Sequence, residues 1–194
     1  MVNMIDFDKK VILASASPRR QELIKLIFDN VEILPADCDE TLPSGIGARE
    51  AVEYLSKIKN EASARLTEKE NLIISADTVV AVDDEILGKP VDKEDARRMI
   101  SLLSGKVHQV YTGVTLSLNR KTKTFSEKTD VEFFYLTENE IEEYISSKEP
   151  YDKAGAYGIQ GKAGLLVKGI NGDYYNVVGF PIARLKREIE DFIK

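Results

Sequence analysis

The stretch Leu72–Val82, LIISADTVVAV, constrains this chain more than any other. A run so continuously apolar suits a strand covered on both faces, as at the centre of an α/β sheet, and not the alternation of a strand with one wet face. Asp77 and Thr78 stand in its middle. An ionised carboxylate there is costly unless it meets a cation, a metal or several donors. Packing gives no reason to keep such a residue, so Asp77 is a candidate for chemistry.

A second stretch, Val11–Arg20 (VILASASPRR), passes from a short apolar strand ending at Ala14 through two serines into a helix with Pro18 at its first position and Ser17 as N-cap. Free backbone N–H groups beside the guanidinium forks of Arg19 and Arg20 suit a phosphate. The helix is expected to run to about Asp29–Asn30, and Val31–Leu34 to form a short strand. Asp37, Cys38, Asp39 and Glu40 make an acidic corner that reads either as a metal site or as a solvated loop. Ala48 to about Leu66 reads as a long helix burying Ala51, Leu55, Ile58, Ala62 and Leu66, with Lys57, Asn60 and Glu61 outward. Lys59 falls at the edge of the buried stripe, where an ordinary lysine with its stem packed down looks the same.

After Val82 the acidic Asp83–Glu85 turns the chain. Gly88 and Pro90 hold Lys89 in place, although a surface lysine in a turn also fits. Asp92 caps a helix to Leu103. Val107–Leu118 and a second run carrying Val131, Phe133 and Tyr135 on one face read as a long antiparallel pair. His108 lacks an evident partner and reads as structural. Thr137 and Glu140 form a capping box opening a helix to Ser147. Lys148–Gly164 holds four glycines and three lysines, poor material for a packed element, and a loop of that length is usually functional. Leu165–Ile170 and Tyr174–Val178 read as a hairpin about Asn171–Asp173, and Pro181 opens a C-terminal helix.

These elements indicate an α/β protein with a mixed twisted β-sheet flanked by helices, two lobes around a central cleft, in a single domain over residues 1–194. A net charge of −6 argues against a general nucleic-acid surface, so any functional cations are local. One cysteine and one histidine permit neither a Cys/His zinc site nor an activated covalent nucleophile. No run approaches the length of a membrane span and no apolar leader opens the chain, so the expected setting is the cytoplasm. Neither GxxxxGK[ST] nor GxGxxG after a strand is present. The remaining inventory of clustered cations, buried carboxylate and glycine-rich loop suits phosphoanhydride hydrolysis, which depends on positioning, charge neutralisation and an aligned water.

The residues also carry a resemblance. LASASPRRQEL (Leu13–Leu23), Asp39–Glu40, LSKIK (Leu55–Lys59), SADTVV (Ser75–Val80) and LGKP (Leu87–Pro90) appear in order. They are followed by LSGKVHQVYTGV (Leu103–Val114), KEPYDKAGAYGIQG (Lys148–Gly161) and NGDYYNVVGFPI (Asn171–Ile182). This set resembles the Maf family of nucleoside triphosphate pyrophosphatases, the septum-formation-inhibitor-like proteins. The resemblance implies hydrolysis of a nucleoside triphosphate to the monophosphate and pyrophosphate with Mg²⁺ or Mn²⁺, and a homodimer.

Carried over, Asp77 would be the general base, Glu40 and Asp77 would face the metal, and Ser15, Ser17, Arg19, Arg20, Lys59 and Lys89 would hold the triphosphate. Arg19, Thr78 and Gln160 match positions linked to base selection. AYGIQG is similar to the branch acting on dTTP and UTP, and an amide suits the N3–H and carbonyl of a uracil or thymine edge. Ser75 departs from the glycine common before ADT. The alternative is a nucleotide-binding regulator of division that does not turn its ligand over; products after incubation with triphosphates separate the two.

Overall fold

The computed structural model describes residues 4–194. Its sheet has seven strands: β1 (Val11–Leu13), β2 (Glu32–Ile33), β3 (Leu72–Val82), β4 (Glu85–Leu87), β5 (Val107–Leu118), β6 (Lys121–Phe133) and β7 (Val167–Asn171). The order is β2-β1-β3-β5-β6-β7, with β4 on β3. Around it lie α1 (Pro18–Ile24), α2 (Ala48–Ala64), α3 (Lys93–Leu103), α4 (Glu138–Ile145), α5 (Tyr174–Val178) and α6 (Ile182–Phe192). The mixed, open, helix-flanked sheet anticipated from the sequence is therefore present: β1 runs parallel to β2 and β3, while β4 pairs antiparallel with β3 and β7 with β6.

β3 spans the residues expected of it and is buried except at Asp77 and Thr78. It pairs with β1 through Leu72–Ile74 and with β4 through Val80–Val82, so residues 75–79 lie outside both ladders. The polar pair thus lies between the residues that pair with β1 and those that pair with β4. Asp83 and Asp84, both at positive φ, close the β3–β4 turn. β4 is not expected from the sequence, where Glu85 belongs to the turn; a two-residue turn tight enough to return the chain at once places Glu85 opposite Val82. Asn119 and Arg120 make the same kind of turn between β5 and β6.

The chain divides into two compact units, with boundaries inside β3, β5 and β6. The first comprises the residues up to Asp77, Thr112–Glu127 and Gly179–Lys194; the second comprises Thr78–Tyr111 and Lys128–Val178. In the first, α2 lies on the sheet through polar as well as apolar residues. Asn60, only 2% exposed, donates to the carbonyls of Ile73 (3.2 Å) and Thr115 (3.0 Å), and Ser75 donates to the Ser56 carbonyl at 2.7 Å. Gly113 makes that approach possible, since a Cβ there would fall 2.2 Å from the Val52 carbonyl oxygen. Asn60 therefore faces inward, against the expectation that it is outward, and Leu66 lies beyond the end of α2 and is exposed.

The second unit has its own core, where Val80, Val82, Leu87, Ile100, Leu103, Val131, Phe133 and Ile145 meet. Asp92 caps α3, accepting from the Asp95 N–H at 2.8 Å, and Thr137 with Glu140 closes the expected capping box on α4. His108 is fully buried and bonds Tyr157 Oη through Nε2 at 2.7 Å, the structural role assigned to it.

Three other expectations are corrected. α1 ends at Ile24, whose carbonyl accepts from both the Ile27 and the Phe28 N–H while the Leu23 carbonyl accepts from the Leu26 N–H, so Asp29–Asn30 lies past the helix. β6 ends at Phe133, and Tyr135 stands exposed instead of inward because the chain has left the ladder. Tyr174–Val178 is helical: Asp173 accepts from the Tyr175 N–H and opens a helical turn, while β7 takes β6 as its partner.

Candidate active site

The first unit holds seven of the candidate residues singled out in the sequence: Ser15, Ser17, Arg19, Arg20, Glu40, Lys59 and Asp77. β1 ends at Leu13 and delivers Ser15 to the turn before α1. Ser15 Oγ accepts from the Ser17 N–H (3.3 Å) and from Arg20 Nη1 (3.3 Å). Arg20 also donates from Nη1 to the Ala76 carbonyl at 2.7 Å and from Nε to the Gly179 carbonyl at 2.9 Å. It thereby satisfies a β3 carbonyl in the stretch outside the β1 and β4 ladders, one residue before Asp77. Ser17 occupies the N-cap position of α1 but makes no side-chain cap bond, its own N–H being turned back to Ser15.

Asp77 meets the cation that its place in an apolar strand demands. Its Oδ1 accepts from Lys59 Nζ, and the same ammonium lies 2.8 Å from Glu40 Oε2. Lys59 and Asp77 side chains are 19% and 14% exposed, whereas Glu40 is 56% exposed, so Lys59 joins an inner carboxylate to an outer one. Burial by itself would lower the lysine's pKa; the Asp77 charge and hydrogen bond, and then Glu40, outweigh it and hold the group above its ordinary value. Burial lowers the Arg20 guanidinium, and Asp77 opposes that shift. Burial, and next the Glu40 charge, raise the Cys38 thiol, which keeps it protonated and unsuited to act as a nucleophile. Arg19, half-buried, follows Pro18 on α1.

The second unit holds the other candidates. Thr78 follows Asp77 directly on β3. Lys89 is exposed after β4, and the carbonyl of the preceding Gly88 accepts from the Gly155 N–H at 2.9 Å, tying that segment to the glycine-rich loop. That loop is ordered into three 3-10 turns, Pro150–Asp152, Ala154–Ala156 and Lys162–Leu165. Gly155, at φ 66°, packs where a Cβ would lie 2.8 Å from a Val80 methyl. Gln160 is exposed on the turn closed by the Gly161 N–H to the Gly158 carbonyl, 3.1 Å.

Sequence reasoning missed the parts of the site made by the main chain, the carbonyls of Ala76 and Gly179, as well as the Glu149 carboxylate that anchors the loop. Main-chain acceptors carry no side-chain signature, and Glu149, next to Lys148 and Pro150, carries none that separates it from an acid in a solvated loop, because its partners are the amides of Lys162 and Ala163 farther along the chain.

The donor set bears on a divalent metal. Glu40 and Asp77 offer hard carboxylate oxygens on one centre, and no group of three or more His, Cys, Asp or Glu side chains that could hold a metal occurs among the described residues. Carboxylate oxygens are the donor type that Mg²⁺ or Mn²⁺ takes, with phosphate oxygens and water as further ligands, and here both carboxylates meet Lys59.

An open mixed sheet carrying an arginine-bearing turn and a lysine shared by two carboxylates defines an α/β protein with a charged candidate site. Comparisons with known proteins agree. The Maf-like protein family matches residues 10–192, and the chain belongs to that family. It is 50% identical over 184 residues to a dTTP/UTP pyrophosphatase of Bacillus cytotoxicus, covering 95% of this chain and 96% of that one. A dTTP/UTP pyrophosphatase of Bacillus cereus is 48% identical with the same coverage. Among solved structures, the Ham1 protein of Staphylococcus aureus superposes with a TM-score of 0.57 at 17% identity, and a HAM1 protein of Coxiella burnetii with 0.58 at 12%. Each covers 94% of this chain and 99% of its own, a likeness of fold.

Proposed function

We propose that this protein is a nucleoside triphosphate pyrophosphatase that hydrolyses dTTP and UTP to the monophosphate and pyrophosphate. Relatives of about half-identical sequence over 95% of the chain bear that activity in their names. The observation that carries the chemistry is the Asp77–Lys59–Glu40 constellation at the middle of β3.

In this reading water attacks and the bond between the α- and β-phosphates breaks. Asp77 Oδ1 is held by Lys59, which orients the carboxylate while its other oxygen takes the proton of the attacking water. Lys59 neutralises charge between Asp77 and the phosphates. Ser15, Ser17 and Arg19 line the turn that receives the triphosphate, and Arg20 adds charge from a position fixed by the Ala76 and Gly179 carbonyls. Lys89 supplies a further phosphate contact, while Thr78 and Gln160, with Arg19, select the base; the Gln160 amide matches the donor and acceptor of a uracil or thymine edge. A divalent cation held by Glu40 and Asp77 with the substrate's phosphates would draw charge from the leaving pyrophosphate. Free nucleotides in the cytoplasm, without nucleic acid or membrane, are the proposed setting, with a homodimer as the working assembly. No helix among the described residues is long and apolar enough to cross a membrane.

The test is chromatography of products after incubation with UTP, dTTP, CTP and ATP plus Mg²⁺. Monophosphate and pyrophosphate from UTP and dTTP support the reading. Diphosphate with free phosphate would make it another phosphatase, and unchanged triphosphate that nevertheless binds would make it a nucleotide-binding regulator of division.

A further inference from the structure

Glu149 is a carboxylate that the proposed chemistry does not use, yet it is among the most tightly engaged side chains of the second unit. Its Oε2 accepts from the Lys162 N–H at 2.8 Å and its Oε1 from the Ala163 N–H at 3.2 Å. The carboxylate thus caps the 3-10 turn Lys162–Leu165, taking two amides that have no partner within that turn. The residue is itself held: its N–H donates to Ser147 Oγ at 3.3 Å, and its carbonyl accepts from Lys153 Nζ at 2.7 Å. Tyr144, buried on α4, donates to the Ala156 carbonyl at 3.1 Å within the same loop.

The amides that Glu149 grips begin one residue after the turn Gly158–Gly161, on which Gln160 is the third residue. Gly161 leaves room for the grip: a Cβ there would fall 2.3 to 2.5 Å from the Glu149 carboxyl atoms. Gln160 is exposed, and among the described residues no bond holds its side chain. Its position is set by the backbone of its turn, whose C-terminal side is fastened by Glu149.

We propose that Glu149 is a positioning residue for base recognition: bound to the Lys162 and Ala163 amides, it fixes the Gly158–Gly161 turn at the height and angle from which Gln160 meets a uracil or thymine edge. The proposal rests on the reading of Gln160 as a base-recognising residue. A side chain that reads a base must arrive with its donor and acceptor already aimed, because ordering a loose loop on binding reduces affinity for the matching base and leaves a non-matching one unaffected.

The experiment measures kcat and KM for UTP and for CTP in the wild type, Glu149→Ala, Glu149→Gln, Gly161→Ala, Gln160→Ala and the double variant Glu149→Ala/Gln160→Ala. Amide hydrogen exchange at Lys162 and Ala163 is followed alongside. Glu149→Ala is expected to lower the UTP-over-CTP ratio of kcat/KM about tenfold, through KM for UTP, while exchange at the two amides quickens and the rest of the unit stays protected. Glu149→Gln keeps an acceptor for one amide and recovers part of the ratio. Gly161→Ala displaces the carboxylate without altering it and reproduces the loss. The double variant matches Gln160→Ala.

Equal losses on UTP and CTP, or effects of Glu149→Ala and Gln160→Ala that multiply, would overturn the proposal and leave Glu149 a general structural residue. If Gln160→Ala keeps the ratio at its wild-type value, the base-recognition reading itself fails and the role of Glu149 in selectivity falls with it. Should Glu149→Ala not fold, Glu149→Gln and Gly161→Ala decide the matter on the same ratio.

Discussion

Asp77→Asn removes one negative charge and almost no volume, from a side chain 14% exposed whose bond is to Lys59. Loss of one partner from a fully buried pair costs about 3–5 kcal/mol. Two features reduce that here: Lys59 retains Glu40 at 2.8 Å, and Glu40 reaches solvent. We expect about 1–2 kcal/mol, which for a chain of this length lowers Tm by roughly 2–8 °C. A domain of ordinary stability, about 5–15 kcal/mol, stays folded at 25 °C after such a loss. The catalytic effect is larger, because a general base contributes about 10²–10⁴-fold. UTP turnover with Mg²⁺, read as pyrophosphate released, should therefore fall by at least about a hundredfold while nucleotide binding survives. The pKa of Lys59 should also drop, since burial then acts against Glu40 alone. A variant that melts within these limits yet turns UTP over at a tenth of the wild-type rate or faster would refute the assignment of Asp77 as the base.

Chelation tests the donor set: excess EDTA should abolish turnover, added Mg²⁺ should restore it, and activity that persists after chelation would remove Glu40 and Asp77 from that role. His108 makes stability depend on pH. Burial holds its imidazole at about 4, below the ordinary 6.5, so the folded state favours the neutral ring. Its contribution is complete above about pH 6.5 and is lost as pH falls towards 4, by up to about 3 kcal/mol. His108→Gln, which keeps a partner for Tyr157 and does not titrate, should flatten the urea-unfolding profile over that window; an unchanged slope would contradict the assignment. Asn60→Ala strips donors from the Ile73 and Thr115 carbonyls and should cost about 2–3 kcal/mol by the same unfolding measurement, whereas a cost near zero would mean that both carbonyls find other partners.

The elements legible beforehand were those whose signals are local. β3 could be placed because an uninterrupted apolar run suits a strand with both faces covered, α3 and α4 because Asp92 and Thr137 take their cap bonds within three residues, and α1 because Pro18 suits a first turn. Asn60 and Tyr174–Val178 were misread for one reason. Helical spacing tells which residues share a stripe, but whether a polar member is buried depends on carbonyls supplied by strands far away in the chain. Likewise Tyr174–Val178 became a helix because β6 already served β7 and Asp173 was free to open a turn.

Determined by the sequence alone were the inventory of chemistry and the need for a partner: a carboxylate set in an apolar strand must meet a cation, since solvation by water is denied to it. Which cation it meets was decided only in three dimensions. Lys59, 18 residues away on α2, reaches Asp77 because Gly113 lets that helix approach the sheet closely and because residues 75–79 lie outside the β1 and β4 ladders. Charge type is a local property of a residue, whereas the distance between charges belongs to the packed chain.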